Sequence, residues 1–161
     1  MGLDAFVFCD CYEKGRLREP PPGNVSIRVA EDGSLAREID RVSLKNDLAW
    51  DWWQECLACV HVGGVLVHHR LGNISLIGSL RTELQREASR FPILLSKVVY
   101  SGSHGGDFVS IDLIPTLRNE LETLRDFQCK TRESDGFMFR FRDQMLQLVA
   151  ASLSVDKPIV F

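Results

Sequence analysis

Leu3-Asp4-Ala5-Phe6-Val7-Phe8-Cys9-Asp10-Cys11 reads as a strand rich in apolar and aromatic residues, and the segments that follow it decide the fold. Glu13 to Gly23 is a loop in which Pro20-Pro21-Pro22-Gly23 forces an extended path and then a turn. Over Val25 to Ala30, Val25, Ile27 and Val29 alternate with Ser26 and Arg28, the period of a half-buried strand. Glu31-Asp32-Gly33-Ser34 turns the chain, and Leu35 to Lys45 is polar and ambiguous. Leu48 to Cys59 is helical by pattern, with Asn46 or Asp47 as N-cap and Leu48, Trp52, Cys56 and Cys59 on one face. Gly63-Gly64 breaks that helix, and Val65 to Leu71 is a short strand.

Asn73 caps a helix over Ile74 to Ser89, whose inner face is Ile77, Leu80, Leu84 and Ala88 and whose continuation Pro92 blocks. Ile93 to Tyr100 reads as a strand, and a glycine-rich loop follows it from Ser101 to Asp107. Ser110 caps a helix over Ile111 to Phe127, with Leu113, Leu117, Leu121 and Leu124 inward and Pro115 in the first turn. Asp135-Gly136 turns the chain into a last helix, Met138 to Ser154, which buries Phe141, Met145, Leu148 and Val149. The alternation of Phe137, Phe139 and Phe141 leaves a strand open as the alternative there. After Pro158, Ile159-Val160-Phe161 is placed as an edge strand. Strands and helices mix without a βαβ rhythm. The expectation is an α+β fold, one domain over residues 1–161, with a mixed or antiparallel sheet and about four helices.

Composition narrows the function classes. A chain of 161 residues with 45% hydrophobic and 25% charged side chains can bury a core without disulfide support. Its net charge is −3 and its Arg and Lys are interleaved with Asp and Glu, so no basic stripe points to nucleic acid. No stretch has the apolar length of a bilayer span. Met1 to Ala5 lacks the charged and apolar regions of a signal peptide, and Phe6 stands where myristoylation expects Ser or Thr. A cytoplasmic protein is expected, its five cysteines reduced or metal-bound.

Cys9-Asp10-Cys11 and Cys59-Val60-His61 are the motifs with the clearest chemistry. Together Cys9, Cys11, Cys59 and His61 offer three thiols and an imidazole, one tetrahedral shell for zinc. Residues two apart on a strand face one side, so Cys9 and Cys11 can reach one ion, with Cys56 as a substitute ligand. A filled site of this kind is structural, because four protein ligands leave no position for water. The competing reading makes these residues buried thiols that pack as small hydrophobes.

The Ser101–Asp107 loop is the second candidate. It joins a strand to a helix start, where backbone donors favour anions, and His104 with Asp107 would supply acid–base chemistry. It lacks a nucleophile elbow and the lysine of a phosphate-binding loop, and many such loops are plain turns. His68 and His69 are adjacent and face opposite sides, so they do not readily share a metal. Trp50, Trp52 and Trp53 cannot all face inward on one short helix. Trp50 and Trp53, with Arg70, are therefore candidate partner-binding residues, against an ordinary core helix as the alternative.

The opening Met1-Gly2-Leu3-Asp4-Ala5, Cys9-x-Cys11, Gly15 and the Pro20–Pro22 run resemble a group of small bacterial proteins of unassigned function that begin MGLDA-x-V with C-x-C and a proline cluster. Cys59-x-His61, Arg70-Leu71-Gly72-Asn73, Gly105 to Ser110 and Pro158 to Phe161 are similar to later motifs of that group. The resemblance covers most of the chain. It implies a bacterial source and favours a structural zinc site, since it falls on those ligand types.

Three function classes remain. The first is a non-enzymatic protein-binding module of the inhibitor or immunity type, suggested by negative charge and excess Trp. The second is a small hydrolase or transferase built on the Ser101–Asp107 loop, for which His68 or His69 and Arg70 must converge on His104. The third is a redox or metal sensor using Cys9 and Cys11, opposed by the nearby carboxylates of Asp10 and Glu13.

Overall fold

The computed structural model describes residues 2–21, 26–37, 59–102 and 104–161. Trp50, Trp52, Trp53 and Cys56, and with them the helix expected over Leu48 to Cys59 up to residue 58, lie outside these residues. Six strands are described: β1 (Gly2–Phe8), β2 (Ile27–Val29), β3 (Leu35–Arg37), β4 (Val65–Asn73), β5 (Phe108–Val109) and β6 (Ile159–Val160). Three α-helices, α1 (Ile74–Leu84), α2 (Ile114–Thr123) and α3 (Arg132–Val155), alternate with shorter helical turns. The main sheet has the order β4-β1-β6-β5 with every neighbouring pair antiparallel, and β2 and β3 form a separate hairpin. The fold is α+β, as the mixed pattern predicts.

β1 organises the sheet. Leu3, Ala5 and Val7 are fully buried and alternate with the half-buried Asp4, Phe6 and Phe8. The buried face packs under α3, whose Phe137, Phe141, Met145 and Leu148 recur at helical spacing in the same core. Leu3, Leu71 and Ile77 join them from β1, β4 and α1. The β2–β3 hairpin forms where the alternation and the turn at Gly33 (φ 82°) predict it, but Val29 is 39% exposed. The period there marks a strand without a buried face.

Four expectations need correction. β1 stops at Phe8, and the chain turns from Cys11 to Gly15. The run from Ile93 to Tyr100 is not a strand: Leu94–Val98 is a wide helical turn, with Leu94 and Val98 buried. A short apolar run cannot separate a strand from a buried helical turn by periodicity. Here the decision comes from 26 residues away, where the buried carboxylate of Glu120 accepts the backbone N–H groups of Ile93 (2.8 Å) and Leu94 (2.9 Å) and so caps the turn. Burial pushes the Glu120 pKa up, opposed by those two bonds.

The last helix does not wait for Asp135-Gly136 but begins at Arg132, capped by Thr131 Oγ1 accepting from Ser134 N at 3.1 Å. A glycine inside a helix costs about 1 kcal/mol against alanine, and burial of Phe137 and Phe141 four residues apart outweighs it. This also removes the strand alternative, and Phe139 is left 60% exposed. Finally, Ile159–Val160 is not an edge strand. It lies between β1 and β5, and Ile159, Val160 and Phe161 are all buried. An unbroken apolar run fits a strand covered on both faces.

Replacing Glu120 with Ala should lower stability by about 2 kcal/mol, because two buried N–H groups lose their acceptor. A lower urea midpoint at unchanged m-value is the expected reading.

Candidate metal centre

The sheet register brings the two cysteine motifs together. Phe8 pairs with Val65, so Cys9-Asp10-Cys11 leaves β1 at the end where Cys59-Val60-His61 enters β4. Cys9 N donates to Gly64 O at 2.7 Å and extends the ladder by one step. Between His61 and β4 the chain makes a tight turn, with Gly63 at φ 55° and Gly64 at φ 69°. Side chains rarely adopt that left-handed backbone, so the paired glycines allow His61 to fold back over the cysteines.

The four ligand atoms of Cys9, Cys11, Cys59 and His61 lie within 4.8 Å of one another. Cys9 Sγ is 3.8 Å from Cys59 Sγ, Cys11 Sγ is 3.4 Å from His61 Nδ1, and Cys59 Sγ is 3.8 Å from His61 Nδ1. Zinc–sulfur and zinc–nitrogen bond lengths set the edges of a tetrahedral shell at about 3.8 Å for S···S and about 3.5 Å for S···N. The observed separations match these edges, and the cluster can hold a metal ion. The three cysteines are buried and His61 is half-buried.

Both motifs supply a backbone donor to sulfur. His61 N lies 3.4 Å from Cys59 Sγ, and a backbone bond from Cys11 to Cys9 lowers the Cys9 pKa against other influences. Such bonds stabilise a thiolate. Burial acts the other way and dominates: it pushes the Cys9 thiol up to about 12, with neighbouring cysteines adding to it, and it raises Cys11 as well. Burial and the neighbouring sulfurs thus favour the neutral form of Cys9 and Cys11 unless a cation joins them. Among the described residues, Leu66 is the partly buried hydrophobic packed on this cluster, and it packs against the main core as well.

The surrounding charges were not legible in the sequence. Asp10, buried between the two cysteines of its motif, is paired with Arg16. Glu13 Oε1 lies 2.7 Å from Lys157 Nζ, whose side chain is 5% exposed and also donates to Gly33 O at 2.9 Å. Lys157 thus ties the turn carrying Cys11 and the tip of the β2–β3 hairpin to the end of α3. No local pattern announces a partner 144 positions away along the chain, and Lys157 itself looks like an ordinary surface residue.

The second candidate has a different geometry. His104 is buried, with a side chain 5% exposed. Its Nε2 is 2.9 Å from Val98 O, and its Nδ1 is 3.3 Å from Asp107 Oδ2 without hydrogen-bond alignment. Tyr100 donates to the same Asp107 oxygen, which pushes the Tyr100 pKa up. Phe161 packs on the His104 ring, and its backbone bonds Gly106 and Asp107. These contacts fasten the loop to β6. His68 and Arg70 instead face Asp4, at 3.5 and 3.7 Å, on β4, at the opposite edge of the sheet from β5. His69 does not join them: its Nε2 is buried without a hydrogen-bond partner. Among the described residues no helix is long and apolar enough to cross a membrane.

Lys157→Met should cost about 2 kcal/mol, because Glu13 and the Gly33 carbonyl both lose a buried donor. Urea denaturation checks the magnitude.

Comparisons with protein-family models, curated proteins and solved structures found no match for this chain.

Proposed function

We propose that the protein is a bacterial, cytoplasmic, non-enzymatic protein-binding module, of the inhibitor or immunity type, whose Cys9, Cys11, Cys59 and His61 hold a structural zinc ion. The observation that supports the zinc assignment is the match of the Cys9–Cys59, Cys11–His61 and Cys59–His61 separations to the edges of a tetrahedral thiolate–imidazole shell. Three sulfurs and one nitrogen favour zinc over magnesium or calcium, which prefer oxygen ligands. Four protein ligands close the shell, so the ion has no position for an activated water and acts by holding chain segments together.

The binding role is supported by what surrounds the centre. Val60 and Val62 flank His61 and are 65% and 71% exposed. They share a groove with Val65 and His68 beside the ligand. An apolar knuckle fixed by a metal is a rigid contact surface that costs little ordering entropy on association. On the other candidate, His104 Nε2 lies within hydrogen-bond distance of the Val98 carbonyl, which supports the non-enzymatic reading over a hydrolase or transferase.

Plasma mass spectrometry of the untagged protein should find close to one zinc per chain, and Cys9→Ser and His61→Ala should each lose it. Zinc-loaded protein should be more stable than chelator-treated protein by about 4 kcal/mol when free zinc exceeds Kd a thousandfold. Metal-free protein with unchanged stability in both variants would return these residues to the role of packed thiols.

A further inference from the structure

We infer that Cys9 and Cys59 form a reversible disulfide when a hydroperoxide reaches the metal centre, and that this bond releases the ion. The inference rests on the zinc reading above and names a regulation of the same site. It follows from how the four ligands divide. Cys9 Sγ faces Cys59 Sγ at 3.8 Å, while Cys11 Sγ faces His61 Nδ1 at 3.4 Å. One sulfur pair is therefore set against each other, and the third sulfur is set against the imidazole. Closing the pair to the disulfide length of about 2 Å needs a shift of roughly 2 Å. Cys59 and the positive-φ glycines Gly63 and Gly64 lie on the same short connection into β4, which among the described residues has few regular backbone bonds to break.

Access and charge both permit the reaction. The cysteines are buried, but His61 is half-buried and lines two open clefts. One of them, about 470 Å³, carries Asp10, Lys14, Arg16 and Leu66 beside His61. The carboxylates that argue against a redox role from sequence are neutralised here: Asp10 pairs with Arg16 and Glu13 with Lys157. An attacking thiolate therefore does not sit in a net negative field.

The chemistry closes with a hydroperoxide as the oxidant. One thiolate of the pair attacks the terminal peroxide oxygen; an S–O bond forms, the O–O bond breaks, and the leaving alkoxide or hydroxide takes a proton. The second thiolate attacks the resulting sulfenic sulfur; the S–S bond forms, the S–O bond breaks, and hydroxide leaves as water after taking a second proton. Two electrons pass from the two sulfurs to the O–O bond, and the zinc remains divalent. Cys11 and His61 alone are then too few ligands to retain the ion.

The test starts from protein purified under reducing conditions, with zinc content measured first. Hydrogen peroxide is then titrated in the presence of a chromophoric zinc indicator, remaining thiols are alkylated, and peptides are mapped by mass spectrometry. The expected result is zinc release in step with the loss of two of the five thiols, a Cys9–Cys59 cross-linked peptide, and alkylated Cys11, Cys56 and Cys129. Dithiothreitol with added zinc restores the starting state. Cys129, which lines a separate cavity between α1 and α3, can be replaced by Ser without effect on the release. Zinc retained through a tenfold excess of peroxide overturns the inference, as does release with a link from Cys11 or Cys56 instead. Absence of metal in the starting protein rejects the zinc reading itself before any oxidant is added.

Discussion

The antiparallel pairing of β1 with β4 is the constraint on which the rest of this structure depends. It runs from Gly2 opposite Asn73 to Phe8 opposite Val65, and it fixes two things at once. Along its length it turns Leu3, Ala5, Val7 and Leu71 toward one core. At its open end it places a C-x-C just after one strand and a C-x-H just before the other. A slip of one residue would send the buried set of β1 to the opposite face and carry Cys9 away from Cys59. Core packing therefore sets the register, and the register sets the ligand geometry.

What the sequence made legible follows from locality. The ligand set, α1 with its Asn73 cap, the inward leucines of α2 and the hairpin turn at Gly33 are all decided by residues within a few positions. The errors arose where distant residues decide. Leu94–Val98 is helical because a carboxylate on α2 caps it. Ile159–Val160 is an inner strand because β1 and β5 both have edges to offer. Arg132 to Gly136 is helical because Phe137 and Phe141 gain more from burial than one glycine costs. The carboxylates beside the cysteines looked unfavourable because their cations, Arg16 and Lys157, are 6 positions from Asp10 and at the far end of the chain from Glu13.

Among the described residues, the cysteine cluster is too small to hold its segments by burial alone. Its buried apolar members there are Cys9, Cys11 and Cys59, with Leu66 packed against them, and a buried side chain of that size contributes about 1 kcal/mol. Against this stand the ordering costs of the Cys11–Gly15 turn and the Cys59–Gly64 connection, each about 1–2 kcal/mol per residue. Lys157 supplies part of the difference by its bonds to Glu13 and Gly33. The zinc ion proposed above would supply a further part, since the burial that raises the Cys9 and Cys11 thiols also strengthens thiolate attraction to a divalent ion.

The two proposed forms of the centre, zinc-bound and disulfide, are also comparable as staples. A zinc ion stabilises only the folded chain, by about 4 kcal/mol at a thousandfold excess over Kd. A Cys9–Cys59 disulfide closes a separation of 50 residues and restrains the unfolded chain, which the loop-entropy model also values at about 4 kcal/mol. Exchanging one for the other therefore leaves the fold near its starting stability. What the proposed oxidation would change is local: Cys11 and His61 would lose their shared ion, and the exposed Val60 and Val62 beside His61 would lose the anchor that fixes them. An oxidant would then act on the surface at the end of β4 without unfolding the sheet beneath it, because the β1–β4 ladder that built the site does not depend on which bond fills it.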